Sequence, residues 1–320
     1  MLGSLHSSLI RTAGAVALLV TGLVLPAAAG TPAVTPLVST EWLQENLDND
    51  QFVILDTRSP ISKSGKDDYL KGHIPGAIWS EYPGYWRTER DGVEGVLPSV
   101  EKLEAVLSDL GVSDEKTVVI VPHGKSSLEF GAATRIYWTF KFLGHDNVAI
   151  LDGGHAAWVA EQRTLETGNV VPEGDLFVAE PNEALLVSTN EVAEELGGAA
   201  ILLDARPEKQ FQGAEKHKAA TRFGHIPGAV NFDQDTFYDQ KTNRLKSPAE
   251  LASLSPALVK DTDAPVISYC NTGHWAATSW FVLSELLGRK DVTVYDESMV
   301  GWSRQKDLPV TGPERTVATN

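Results

Sequence analysis

The sequence predicts an α/β protein of two tandem domains, each a parallel sheet with helices on both faces. Three observations predict it. A series of short motifs occurs twice, in the same order, along the 320 residues. Each copy alternates short apolar β-runs with helical patterns, the signature of a parallel sheet with covering helices. The only cysteine, Cys270, stands at the end of a β-run, where open α/β sheets carry their sites.

The elements follow in order. The N-terminus has His6 and Arg11 but no acid, an apolar run from Ala13 to Leu25, and then Pro26-Ala27-Ala28-Ala29. A run that short of the ~20 residues of a membrane span, with small residues after it, reads as a secretory signal removed after Ala29. A permanent anchor is the alternative. This gives residues 1–29 as signal and an exported, periplasmic or secreted, mature chain. Residues 30–164 form the first domain: Phe52–Leu55, Ala77–Trp79, Val118–Val121 and Ala149–Leu151 as strands, Thr40–Leu47, Val100–Leu110 and Ala132–Leu143 as helices. Residues 165–184, with Gly168, Pro172, Gly174 and Pro181 and little periodicity, form a linker. Residues 185–320 form the second domain. In it Val53-Ile54-Leu55-Asp56-Thr57-Arg58 returns as Ile201-Leu202-Leu203-Asp204-Ala205-Arg206, and Gly72-His73-Ile74-Pro75-Gly76-Ala77 as Gly224-His225-Ile226-Pro227-Gly228-Ala229. Val119–His123 lies opposite Val266–Cys270, Ala132-Ala133-Thr134 opposite Ala276-Ala277-Thr278, and Trp158 opposite Trp302, the offset drifting only between 144 and 152. A period that long means duplicated domains, because solenoid repeats run ~20–50 residues.

Composition narrows the function. A 42% hydrophobic and 22% charged chain is an ordinary globular one. Its net charge of −16 argues against nucleic acid or anionic membranes as partners. An exported chain with a single cysteine has no internal disulfide, and a lone thiol in an oxidising compartment is a liability unless it is used or shielded. Cys270 ends an apolar strand, and a helix reading from Ala276, with Leu283, Leu286 and Leu287 as its stripe and Gly288 as its stop, follows after the loop Asn271-Thr272-Gly273-His274-Trp275. Such a turn aims backbone N–H groups and a positive dipole end at the loop, favouring a thiolate and an anion there. A shielded, inert cysteine is the competing reading.

At these residues the chain resembles the two-domain rhodanese-type sulfurtransferases, from about Leu37 to Pro313. The resemblance rests on the duplicated D-x-R, the duplicated GHIPGA and the C-x-x-G-x-x-A loop. It implies that the first copy, with His123 opposite Cys270 and a loop three residues longer, is inert. It implies a double displacement: Cys270 takes a sulfane sulfur from thiosulfate as a persulfide and passes it to a thiophilic acceptor, cyanide or a thiol. No cofactor and no metal are required. The residues Asn271, Thr272, Gly273, His274, Trp275 and Ala276 would form the substrate and persulfide loop. Related phosphatases and arsenate reductases use a roomier loop, often ending C-x5-R, whereas here the loop leads to Ala276.

Several departures bear on the donor. Thiosulfate enzymes of the family carry basic residues after the cysteine, and mercaptopyruvate enzymes carry Gly-Ser-Gly. This loop has Asn271 and Thr272, whose hydroxyl matches the serine. The arginine both subfamilies place four residues after the D-x-R arginine is Gln210 here. Candidate anion or cleft contacts are therefore Arg206, Lys209, Arg222 and His73, with Lys216 and Lys218 nearby. For Arg206 an ion pair orienting the loops competes with substrate contact, and for His73 and His225 a structural hydrogen bond competes with a place in the cleft. For His274 a cationic or hydrogen-bonding role toward the donor competes with surface exposure. Trp275 reads as a pocket wall, and Trp79–Trp86 as interdomain packing or pocket rim. Asp296 brings an acid close to the expected anion site. The donor is thiosulfate or 3-mercaptopyruvate. A persulfide carrier serving a protein partner and a catalytically dead binding module are the readings of other classes.

Overall fold

The computed structural model describes residues 34–255, 259 and 262–313, so the expected signal 1–29 and its cleavage site lie outside the described residues. Two five-stranded parallel sheets carry the molecule. The first runs Leu37–Val38, Val148–Leu151, Thr117–Val121, Phe52–Asp56, Ile78–Trp79 across its width, and the second runs Leu186–Val187, Val292–Tyr295, Val266–Tyr269, Ile201–Asp204, Val230–Asn231. The order is the same in both, with every pairing parallel. The duplication seen in sequence is thus a duplication of topology. Each copy adds one antiparallel ribbon: Thr88–Arg90 with Val93–Val96, and Tyr238–Asp239 with Arg244–Leu245.

The central strands Thr117–Val121 and Val266–Tyr269 are buried at every residue, as runs covered on both faces must be. The helix expected from Ala132 begins earlier, at Ser127. Ser126 and Glu129 form a capping box there, which satisfies two otherwise orphaned amides and starts the helix a turn sooner. The second copy's helix likewise starts at His274 rather than Ala276, with Gly273 in the left-handed region at φ 74°. Its last turn widens, Leu287 N–H reaching back to Val282 O. These equivalent helices pack against each other, and Thr134 Oγ1 meets Thr278 Oγ1 at 3.0 Å, a contact between matching positions of the two copies.

The D-x-R and GHIPGA motifs prove to be one device. In each copy the arginine is buried against the aspartate, Arg58–Asp56 at 2.8 Å and Arg206–Asp204 at 2.5 Å. Each then donates to the carbonyl of the glycine that opens GHIPGA, Gly72 or Gly224. The histidine that follows donates from Nδ1 to an earlier carbonyl, Tyr69 for His73 and Phe211 for His225, and stacks on that residue's ring. A strand end and the next turn are clamped together by groups whose charge is internally cancelled.

The linker residues 165–184 have no regular element before Glu183. They are nevertheless strapped to the first half: Glu166 pairs with His73, Asp175 N–H donates to Ser108 O, and Phe177 is buried. No helix among the described residues is long and apolar enough to cross a membrane.

Candidate active site

Cys270 follows the last residue of the central strand Val266–Tyr269 and is 1% exposed. The segment after the neighbouring strand holds its loop. Cys270 N–H and Gly273 N–H both donate to Ser298 Oγ, at 3.0 and 3.2 Å, and Ser298 donates onward to Tyr295 O. Met299 and Val300 N–H donate to the carbonyls of Cys270 and Asn271. The first-turn amides of His274, Trp275 and Ala276 have no carbonyl behind them within the helix, which leaves their donor ends at the loop.

The first half closes the site. Arg135, fully buried on the helix Ser127–Phe142, pairs with Asp296 at 2.5 Å and lies 3.4 Å from Gly273 O. Asp296 also accepts from Leu97 N–H at 2.6 Å. The acid that the sequence places beside the expected anion site is therefore neutralised from the other half. A cavity of about 180 Å³ covers the thiol, lined by Ile61, Arg87 and Leu128 of the first half and by His217, Cys270, Asn271, Thr272, His274 and Trp275 of the second. Trp275 forms a wall, as expected.

His274 is neither exposed nor cationic. Its Nε2–H donates to Leu128 O at 2.7 Å, which leaves Nδ1 to accept from the Tyr82 hydroxyl at 2.7 Å. The ring enters space that Gly131 vacates: a Cβ on Gly131 would stand 2.7 Å from it. Burial, aided by Arg87, pushes its pKa down to about 3, while burial raises that of Tyr82 and keeps the phenol a donor.

None of the four candidate anion or cleft contacts lines the cavity over Cys270, and for Arg206 and His73 the structural alternative is the one found. Arg206 is paired with Asp204 and the Gly224 carbonyl and does not line the cavity over Cys270. Lys209 is an exposed side chain 3.6 Å from Glu215. Arg222 donates to the carbonyls of Trp302, Ser303, Gln305 and Leu308, capping the C-terminus of the helix Ser298–Arg304, where a cation is favoured. His73 is buried under Tyr69 beside Glu166, away from the cleft. Gln210, at the position of the missing arginine, accepts from Asn271 Nδ2 at 2.8 Å. Tyr82, Arg87, Arg135 and Ser298 were not singled out as site residues from sequence, although Tyr82 falls in the aromatic stretch read as pocket rim.

The equivalent loop of the first half is filled from within. Ser126 N–H donates to Glu129 Oε1 at 2.9 Å and Lys125 N–H donates to the same oxygen, so an internal carboxylate takes the loop amides. His123 stands 3.7 Å from the other carboxylate oxygen. No group of acids, histidines and cysteine among the described residues has metal-binding geometry.

Three histidines, His155 and His274 buried and His123 half-buried, share one sign of pH dependence. Burial, with Lys125, Arg58 and Arg87 respectively adding to it, lowers His123 to about 4 and His155 and His274 to about 3. Unfolded, each titrates near 6.5, so between that value and the folded one the unfolded chain binds more protons. Stability is full above about pH 6.5 and falls as the pH drops through the window. Urea unfolding is expected to show a lower midpoint at about pH 5 than at about pH 7.5, with the difference reduced in His274→Gln. Equal midpoints would show that these rings are protonated when folded.

A tandem α/β pair, with a thiol on a strand-to-helix loop in one copy and a loop filled by its own carboxylate in the other, defines a duplicated domain. Residues 39–161 and 188–305 match the rhodanese-like domain, and the chain belongs to that family. Among its relatives is a putative thiosulfate sulfurtransferase of Saccharopolyspora erythraea, 32% identical over 87% of this chain and 96% of the relative. A sulfur carrier protein, TtuD, of Thermus thermophilus is 31% identical over 87% of this chain and 97% of that one. The solved structure of the 3-mercaptopyruvate sulfotransferase SseA from Escherichia coli superposes with a TM-score of 0.71 at 29% identity, covering 83% of this chain and 99% of that one.

Proposed function

We propose that the chain, an enzyme of the rhodanese sulfurtransferase class, moves sulfane sulfur through a persulfide on Cys270, with thiosulfate as donor and cyanide or a small thiol as acceptor. The observation that carries this is Cys270 itself: the chain's one thiol lines a cavity at the head of a helix, on a loop stapled by Ser298 and braced by Arg135–Asp296. The thiolate attacks the outer sulfur of thiosulfate, the S–S bond breaks, and sulfite leaves with the electron pair. Free loop amides suit the resulting persulfide anion. The acceptor then bonds to the outer sulfur, the persulfide S–S bond breaks, and the thiolate returns. With one cysteine in the chain, the acceptor comes from outside.

3-Mercaptopyruvate is the alternative donor, its C–S bond breaking and the carbon end leaving as an enolate that takes a proton to give pyruvate. Thr272, lining the cavity two residues after Cys270, supports that donor. The TtuD relative supports delivery to a protein partner, whereas a thiol only 1% exposed favours a small acceptor. Residues 1–29 mark the protein for export, and N-terminal sequencing of the mature chain is expected to begin at Gly30.

Intact mass after thiosulfate or 3-mercaptopyruvate treatment tests the reading. The expected result is a gain of one sulfur, removed by cyanide and absent in Cys270→Ser. A folded wild type with a free thiol that gains nothing from either donor would refute it.

A further inference from the structure

Of the side chains lining the cavity above Cys270, apart from the nucleophile itself, Arg87 is the one cation near neutral pH and none is a carboxylate. Arg87 comes from the first half, just before the ribbon strand Thr88–Arg90. Its Nε and Nη2 donate to Gly95 O at 2.9 and 2.7 Å, and Nη2 also reaches Thr272 O. Among the described residues no acid forms an ion pair with it, in a chain whose net charge is −16. A half-buried guanidinium held by neutral carbonyls and the Tyr82 hydroxyl, with no carboxylate paired to it, suits a small anion brought beside the nucleophile.

The cavity opens into a wider cleft of about 530 Å³, and Arg87, His217 and Thr272 line both. Acids occur only in the outer space, where Glu94 stands 3.9 Å from His217. Ala219 N–H donates to His217 Nδ1, which leaves Nε2–H as that ring's own donor. On the second half's side the expected clamp position is spent, because Gln210 is tied to Asn271.

The geometry points to Arg87 as the residue that holds the anionic group of the sulfur donor, a carboxylate or a sulfonate, while the donor's sulfur faces Cys270. This assignment rests on the Cys270 persulfide reading. It moves donor recognition to the first half, so that the copy without a thiol supplies the charge and the copy with the thiol supplies the nucleophile.

Alkylation tests it without turnover. Iodoacetate and iodoacetamide differ by a carboxylate against an amide, and each alkylates a thiolate with loss of iodide. The ratio of their rates at Cys270 is expected to fall about tenfold or more in Arg87→Gln, as loss of a charge-assisted hydrogen bond implies, and to be partly kept in Arg87→Lys. A role confined to bracing Gly95 and Thr272 would change both rates together. Loading of Cys270 by thiosulfate or 3-mercaptopyruvate, followed by mass, is expected to slow in Arg87→Gln, and the donor that slows identifies the sulfonate or the carboxylate source. An unchanged alkylation ratio would overturn the assignment even if loading slowed. Failure of the wild type to load with either donor would instead sink the persulfide reading, and the alkylation ratio is read independently of it.

Discussion

Gly273→Ala is expected to remove almost all sulfur transfer while leaving a folded protein. Gly273 holds φ 74°, where an L side chain costs about 1–2 kcal/mol. The larger cost is steric. A Cβ there would lie 2.4 Å from both Arg135 Nη1 and Asp296 Oδ1, and 3.0 Å from Asp296 O. Neither side chain is a free surface end: the two are buried and paired. Something must shift, and what shifts carries Gly273 N–H and its Ser298 partner with it. A displacement of the order of 1 Å at a reacting group costs about 100-fold in rate, so kcat/KM should fall at least that far. Gly228→Ala is the matched control. It has a similar φ of 80° but nothing within 4 Å of the new Cβ, so it bears the strain alone and should keep its activity. Equal activity losses in the two variants would mean that left-handed strain, not the crowding of Arg135–Asp296, governs the loop.

The fold was legible because duplication is a long-range signal written in local motifs. GHIPGA and D-x-R recur since each copy needs the same clamp, an arginine that joins its own aspartate to the next turn. Cys270 was legible for a local reason too, as a thiol between a strand and a helix. Residues supplied by the other half left no such mark. Tyr82, 192 positions before His274, and Arg87, 185 before Thr272, reach the loop only through the packing of one copy on the other. Nothing in their neighbourhoods fixes which way they face. Proximity along the chain also misled. His274 is beside the loop in sequence, yet a glycine on the facing helix lets it sink between Tyr82 and Leu128. Lys209 and Arg222 are cations near the expected anion site, yet one faces solvent and the other caps a helix.

Arg135→Leu is expected to be the most destabilising single change near the site. Its partner Asp296 is buried, and removing one member of a buried pair strands a charge at about 3–5 kcal/mol. Asp296 would keep the Leu97 N–H, which stabilises a carboxylate only in part. The same change frees Gly273 O from its cross-half donor, so stability and sulfur transfer should fall together. Arg135→Leu/Asp296→Asn separates the two effects. It removes both charges and retains an acceptor for Leu97, so its urea midpoint should recover toward wild type, as neutral replacements of buried pairs often do. Transfer should stay low in the double variant, because the brace across the halves is still missing. The coupling energy from the cycle of Arg135→Leu, Asp296→Asn and the double variant reads the pair directly. A loss below about 1 kcal/mol for Arg135→Leu would place the pair among exposed bridges of little worth.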